Sequence, residues 1–116
     1  MAGIWAYGAA NRIVDCLVQN NSGDGIYLGN SNQVAENHLT QNGLAGISIP
    51  SGTANRVEGN YVVRNIGKGI SVGGTGNILV RNTSANNVAG YYAIGAGNIA
   101  PIETSSVTNL VSNIAY

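Results

Sequence analysis

The chain has 116 residues, enough for one domain of modest size, and its composition is far from that of an average globular protein. Gly and Asn each occur 17 times, only 9% of the residues are charged, and five Lys and Arg balance five Asp and Glu. This balance argues against nucleic acid and anionic membranes as partners, because both are recruited by strongly basic surfaces. A hydrophobic fraction of 44% also argues against a disordered chain.

Cysteine usage and hydropathy narrow the class further. The single cysteine, Cys16, excludes an internal disulfide framework and a cysteine-based zinc site. No stretch approaches the roughly 20 apolar residues of a membrane span, and residues 1–14 lack the basic start and apolar run of a signal peptide. We therefore expect no cofactor and no membrane partner. The compartment stays open, and is extracellular or cell-surface if the chain comes from a longer secreted parent.

Five sequence units of 21–23 residues follow one another along the chain. They begin at the pairs Gly3-Ile4, Gly25-Ile26, Gly46-Ile47, Gly69-Ile70 and Gly90-Tyr91. Three positions inside each unit are nearly always Asn. The first column is Asn11, Asn32, Asn55, Asn77 and Asn98, the second is Cys16, Asn37, Asn60 and Asn82, and the third is Asn21, Asn42, Asn65 and Asn87.

Apolar residues between these columns recur at a spacing of two, as in Ile26-x-Leu28 and Ile47-x-Ile49, which is typical of a strand with one buried face. Each unit carries three such strands and no helical periodicity. The sequence therefore predicts an all-β, single-stranded parallel β-helix of about five coils over residues 1–99. We expect the Asn residues to take the left-handed backbone conformation at the corners and to form hydrogen-bonded ladders between coils.

The two ends of the predicted solenoid differ. Residues 100–116 break the repeat and continue no Asn column, so we interpret them as a C-terminal cap. The apolar residues available to cover the last coil are Ile99, Ile102, Val107, Leu110, Val111 and Ile114. At the other end, Met1 and Ala2 lead directly into the first strand, so the first coil is predicted to be open. Two interpretations follow, and they are compatible: the chain is the C-terminal portion of a longer solenoid, or it associates with itself as a homo-oligomer.

The repeat resembles a known family. The pattern Gly-Ile-x-Leu followed by Asn-x-Val-x-x-Asn-x-Leu-x-x-Asn, complete in residues 25–42 and closely similar in residues 46–65, resembles right-handed parallel β-helix repeats of the pectate-lyase-like superfamily. The resemblance implies right-handed winding, and it implies one of several roles. Members include polysaccharide lyases, polygalacturonases, epimerases, phage tailspikes and carbohydrate-binding proteins, so the fold alone does not select a function.

Two residues are the only catalytic candidates that the resemblance offers. Asp24, in Ser22-Gly23-Asp24-Gly25, resembles an Asp-Gly segment of polygalacturonases, but the next coil reads Leu-Ala-Gly where those enzymes carry an Asp pair. Lys68 stands where they carry a histidine. The two lie two coils apart, about 10 Å, without the second carboxylate that a calcium ion or a glycosidase needs. We therefore predict no metal site and no catalysis by the isolated chain.

Outward positions of the first strand predict a binding surface. We expect this strip to contain Trp5, Tyr27, Ser48, Ser71 and Tyr92. Aromatic faces pack on sugar rings and hydroxyls bind to them, so a polysaccharide is the expected partner. The favoured function is a non-enzymatic, carbohydrate-associated binding or structural module. Two alternatives stay open: a fragment or subunit of a polysaccharide lyase or hydrolase, and a self-assembling structural solenoid.

Overall fold

The computed structural model describes residues 1–103 and 113–115. In this part of the chain the regular elements are fifteen short strands. In chain order they are β1 (Ile4–Ala6), β2 (Arg12–Val14), β3 (Leu17–Gln19), β4 (Ile26–Leu28), β5 (Gln33–Ala35), β6 (His38–Thr40), β7 (Ile47–Ile49), β8 (Arg56–Glu58), β9 (Tyr61–Val63), β10 (Ile70–Val72), β11 (Ile78–Val80), β12 (Thr83–Ala85), β13 (Tyr92–Ile94), β14 (Ile102–Glu103) and β15 (Asn113–Ala115).

Every third strand pairs in parallel with its equivalent one coil away, which confirms the predicted parallel β-helix. The first sheet has the order β1-β4-β7-β10-β13, the second β11-β8-β5-β2, and the third β14-β15-β12-β9-β6-β3. Four coils contain all three strands. A fifth coil consists of β13, a single parallel bridge between Ile78 and Ile99, and β15.

The core is a stack of aliphatic side chains inside these coils. Strands of the first sheet point their first and third residues inward, as Ile47 and Ile49 show, whereas the other two sheets point their middle residues inward, as Val57 and Val62 show. All four of these side chains have 0% exposure. Because each inward residue lies directly above its equivalent in the neighbouring coil, a change at one level alters the packing of the coils on both sides.

All three predicted Asn ladders are present. In the second ladder Asn37 donates both its backbone N–H and its side-chain Nδ2 to Oδ1 of Asn60, and Asn60 donates in the same way to Asn82. Each Nδ2 of this ladder also donates to a backbone carbonyl of the preceding coil, as Asn60 Nδ2 does to Val34 O at 2.9 Å. One side chain therefore joins three coils, and the buried amides have the partners that burial requires.

The left-handed backbone conformation, however, is not taken by the ladder residues. Positive φ occurs at the residue immediately before each ladder position within residues 11–98: Ala54, at 57°, precedes Asn55, and Arg64, at 55°, precedes Asn65. The prediction that Asn supplies the bend was therefore wrong by one residue. The side chain of the preceding residue points outward at the corner, so its chemistry varies freely, while Asn is needed one step later for its amide.

The C-terminal end also differs from the sequence interpretation in one respect. Asn113 continues the second ladder, because its Oδ1 accepts from the backbone N–H and the Nδ2 of Asn82 at 2.9 and 2.7 Å. β14 pairs with the outer edge of β15. The third sheet therefore has six strands, whereas the first sheet has five and the second has four. The proposed capping residues Val107, Leu110 and Val111 lie outside the described residues.

Tyr92, the first residue of β13, packs against the core at the last strand of the first sheet. It pairs in register with Ile70, packs against the core cluster, and places its hydroxyl 3.0 Å from Asn82 O and 2.9 Å from Ile114 O. Burial raises the pKa of the Tyr92 phenol well above its ordinary value of 10.0.

This shift predicts a loss of stability in alkali. The folded protein holds the Tyr92 proton more tightly than the unfolded chain, so its contribution is complete below pH 10 and falls as the pH rises further. We expect urea midpoints to drop above pH 10 in the wild type and to drop less in Tyr92→Phe. Tyr92→Phe should also lose about 1 kcal/mol at pH 7 because two carbonyls lose their donor. Parallel pH profiles for both proteins would contradict the assignment.

Candidate functional site

The outward column of the first sheet forms a continuous strip along the solenoid. Register places Trp5 beside Tyr27, Tyr27 beside Ser48, and Ser48 beside Ser71. The last member is Ala93, because Ser71 pairs with Ala93. The prediction that Tyr92 occupies this strip was wrong, since Tyr92 faces the core. The strip therefore carries aromatic rings at its N-terminal end only, and small side chains over the rest.

The error at Tyr92 has a simple origin in the sequence. Four of the first-sheet strands begin five residues after an Asn of the third ladder, as Ile47 follows Asn42 and Tyr92 follows Asn87. The Gly90-Tyr91 pair imitates the Gly-Ile start of earlier units but lies one residue too early. The constant distance from the ladder, rather than the glycine, gives the correct register.

A three-ring aromatic cluster, formed by Trp5, Tyr7 and Tyr27, lies at the N-terminal end of the strip. The ring centroids of Trp5 and Tyr27 are 5.1 Å apart with planes inclined by 39°, and those of Tyr7 and Tyr27 are 6.4 Å apart with planes inclined by 23°. Trp5 is 65% exposed and Tyr7 is 67% exposed. Contiguous exposed apolar patches mark interaction surfaces on proteins.

Sequence reasoning missed Tyr7, although a signal for it exists. Tyr7 directly follows β1, and the residues that directly follow β4, β7, β10 and β13 are glycine or proline, as Gly29 and Gly73 illustrate. Tyr7 is thus the only bulky side chain in its column. Gly29, one coil on, lies against the backbone of Tyr7, where a side chain would collide with the Tyr7 carbonyl.

Asp24 and Lys68 lie in one column before the first-sheet strands, with Ala45 between them, which matches their predicted separation of two coils. Oδ1 of Asp24 accepts the backbone N–H of Ala45 at 3.0 Å, so the carboxylate bridges neighbouring coils. Partial burial raises the pKa of Asp24, while the Ala45 hydrogen bond and the positive N-terminus oppose the rise. Within residues 1–103 and 113–115, no group of three His, Cys, Asp or Glu could hold a metal ion. The other carboxylates of this part of the chain lie on the second and third sheets or at the corner between them.

The ion pairs of the described residues lie apart from the aromatic cluster, and no described helix is suited to span a membrane. No helix within residues 1–103 and 113–115 is long and apolar enough to cross a membrane. Among these residues the ion pairs are those of Glu58, which binds Arg56 at 2.6 Å and also Arg81. These pairs lie on the second sheet and its corner, away from the aromatic cluster.

Three parallel sheets, stacked coils and internal Asn ladders define the chain as a parallel β-solenoid. The chain belongs to the right-handed β-helix family, because the family model described as right handed beta helix region matches residues 2–115. This match is consistent with the resemblance to pectate-lyase-like repeats and with right-handed winding. No curated protein and no solved structure matches the chain.

Proposed function

We propose that this protein is a non-catalytic β-helix module that binds carbohydrate through the first-sheet strip. The observation that carries the proposal is the exposed aromatic cluster of Trp5, Tyr7 and Tyr27, continued along the sheet by the hydroxyls of Ser48 and Ser71. Sugar rings offer C–H faces to aromatic rings and hydroxyls to serine side chains. The strip repeats about every 4.8 Å along the axis, so it suits an extended polymer rather than a compact ligand.

Removal of the rings is the direct test. We expect the double variant Trp5→Ala, Tyr27→Ala to lose at least about tenfold in affinity for the polysaccharides that retain the wild type, because aromatic anchors dominate such contacts. Affinity electrophoresis in gels that contain different neutral and acidic polysaccharides measures this retention. The matched control is Val88→Ala, which removes a 79% exposed apolar side chain outside the strip. Equal retention of the double variant and the control, or no retention of the wild type by any polymer, would overturn the proposal.

The lyase or hydrolase alternative is less well supported by the described residues. Asp24 already serves as acceptor for a backbone amide, and Lys68 lies two coils away. Glycoside hydrolysis needs a second acid, and the other carboxylates within residues 1–103 belong to the second and third sheets or to the corner between them. The alternative therefore requires acids supplied by additional coils or another subunit.

A second candidate function is self-assembly through the first coil. β1, β2 and β3 are the terminal strands of their sheets, and each pairs on one side only with a described strand. At this end of the solenoid, Met1 and Leu17 are 93% and 61% exposed. An open parallel edge is a template for another chain. We propose a second copy of this protein as the occupant, giving a homo-oligomer.

Light scattering during size-exclusion chromatography tests the assembly. The wild type is expected to exceed the 11.9 kDa of one chain as its concentration rises, and Ile4→Asp to remain monomeric because a charge then lies at the pairing edge. Leu17→Asp places the same charge at a more exposed position and guards against misfolding of the first variant. A wild type that stays monomeric at every concentration would contradict self-assembly.

A further inference from the structure

A groove on the outer face of the third sheet is separate from both surfaces discussed so far. It has a volume of about 180 Å³. It spans the second, third and fourth coils. Its lining residues are His38, Thr40, Gln41, Tyr61, Val63, Arg64 and Asn86.

The floor of the groove consists of outward-facing residues that are nevertheless buried. Thr40 and Val63 are the third residues of β6 and β9, on the side of the sheet away from the core, yet they are only 8% and 6% exposed. Short side chains on the floor between taller neighbours explain both the burial and the groove. The depression is therefore built into the repeat rather than made by a loop.

The two walls differ in chemistry. One wall is aromatic: His38 and Tyr61 are register partners on β6 and β9, with ring centroids 5.1 Å apart and planes at 65°. The other wall is polar and comes from the corner column, where Gln41, Arg64 and Asn86 all have φ of 55°. The strained corner conformation directs the backbone the same way at each level, which aligns these three side chains along the groove.

Four polar side chains that line this groove, those of Thr40, Gln41, Arg64 and Asn86, have no side-chain partner among the described residues. Arg56 and Arg81 both bind Glu58, whereas the guanidinium of Arg64 forms no ion pair within residues 1–103 and 113–115. In the same part of the chain, the Thr40 hydroxyl and the amides of Gln41 and Asn86 form no side-chain hydrogen bond, whereas every buried ladder amide has a partner. A positive charge, a hydroxyl and two amides therefore converge on one small space unoccupied by the protein's own acceptors.

We infer that this groove is a binding site for a single sugar unit that carries one anionic group, a carboxylate or a sulfate. Arg64 binds the anion in a charge-assisted pair. Asn86 and Gln41 bind neighbouring hydroxyls, and the ring face packs on Tyr61 and His38. The site does not rest on the first-sheet strip, because it lies on another sheet and shares no residue with it.

The test follows backbone amide resonances by NMR during titration with methyl glucuronoside, glucose 6-sulfate, methyl glucoside and inorganic sulfate. We expect both anionic sugars to shift the amides of Thr40, Tyr61 and Arg64 with saturation. The neutral sugar should bind at least about tenfold more weakly, because it lacks the charged acceptor. Inorganic sulfate should also bind more weakly, because it lacks the ring. A difference between the first two sugars identifies the preferred anion.

Arg64→Gln should reduce the affinity for the anionic sugars about tenfold or more and leave the methyl glucoside titration unchanged. Arg81→Gln is the matched control, since it removes a corner arginine already bound to Glu58 and should leave the affinity unchanged. Saturating shifts at Trp5 or Tyr27 instead would assign the sugar to the first sheet and overturn the groove site. Equal binding of neutral and anionic sugars, equal effects of the two arginine variants, or no shifts by any probe would also overturn it.

Discussion

Replacement of Asn60 by alanine is expected to lower the free energy of unfolding by about 3–5 kcal/mol. Asn60 Oδ1 accepts two bonds from Asn37 at 3.0 Å, and its Nδ2 donates to Val34 O and Asn82 Oδ1 at 2.9 Å. Alanine leaves the backbone N–H of Asn37 without a partner where water has no access. Asn37 Nδ2, Val34 O and Asn82 Oδ1 each also lose one hydrogen bond. Each buried orphan costs about 1–3 kcal/mol. Equilibrium urea unfolding followed by circular dichroism measures the loss.

The matched control is Asn11→Ala at the open end of the first ladder. Asn11 is exposed, and the backbone N–H of residue 11 still bonds Oδ1 of Asn32 after the substitution. Water can replace the remaining partners, so we expect a cost of about 1 kcal/mol or less. Equal losses for the two variants would contradict the view that internal ladder residues hold the coils together.

The second large effect is expected at Ile47, where alanine should cost about 2–5 kcal/mol. Ile47 has 0% exposure and lies between Ile26 and Ile70 in the inward column of the first sheet. The coils above and below hold their own hydrogen bonds, so they cannot collapse into the space that the side chain leaves. The loss therefore combines transfer of the removed methyl groups with a persistent cavity.

Ile66→Ala provides the comparison within the same chain. Ile66 is 62% exposed on a corner, so its truncation should change the free energy of unfolding by less than about 0.5 kcal/mol. Thermal and urea unfolding of both variants measures the difference. Similar costs at residues 47 and 66 would show that the aliphatic stack is not the main source of packing energy.

The architecture could be predicted from the sequence because equivalent positions of a solenoid need the same type of residue in every coil. An inward aliphatic column and an Asn ladder both depend on position within the repeat, so they recur as residue types at fixed spacing. The residue before each ladder position could not be identified in this way. Its requirement is a backbone angle, and residues as different as Ala54 and Arg64 meet it.

The site was only partly predictable. Trp5, Tyr27, Ser48 and Ser71 share the outward column as expected, because alternation along a strand fixes the face. Tyr92 was assigned to the wrong face because a shift of one residue reverses the face of every side chain. Asn113 was missed because it follows Asn82 by 31 residues, where earlier ladder steps span 21–23.

The third-sheet groove could not be predicted from the repeat. Its depth depends on the relative heights of side chains in neighbouring columns, with short residues such as Val63 between Tyr61 and Arg64. The position of a residue within the repeat predicts which face of the sheet carries it. It does not predict how far its side chain extends compared with the neighbouring side chains. The polar groups without partners in the groove become visible only when the bonds of their neighbours are known.

The proposed carbohydrate-binding function has one direct reporter. Trp5 is the only tryptophan of the chain and lies in the aromatic cluster, so its fluorescence monitors the proposed surface without a label. Titration of the wild type with a panel of soluble neutral and acidic polysaccharides is the most direct test. The account predicts a saturable blue shift of Trp5 emission with at least one polymer, because the sugar displaces water from the ring. Unchanged emission of the folded protein with every polymer would contradict it.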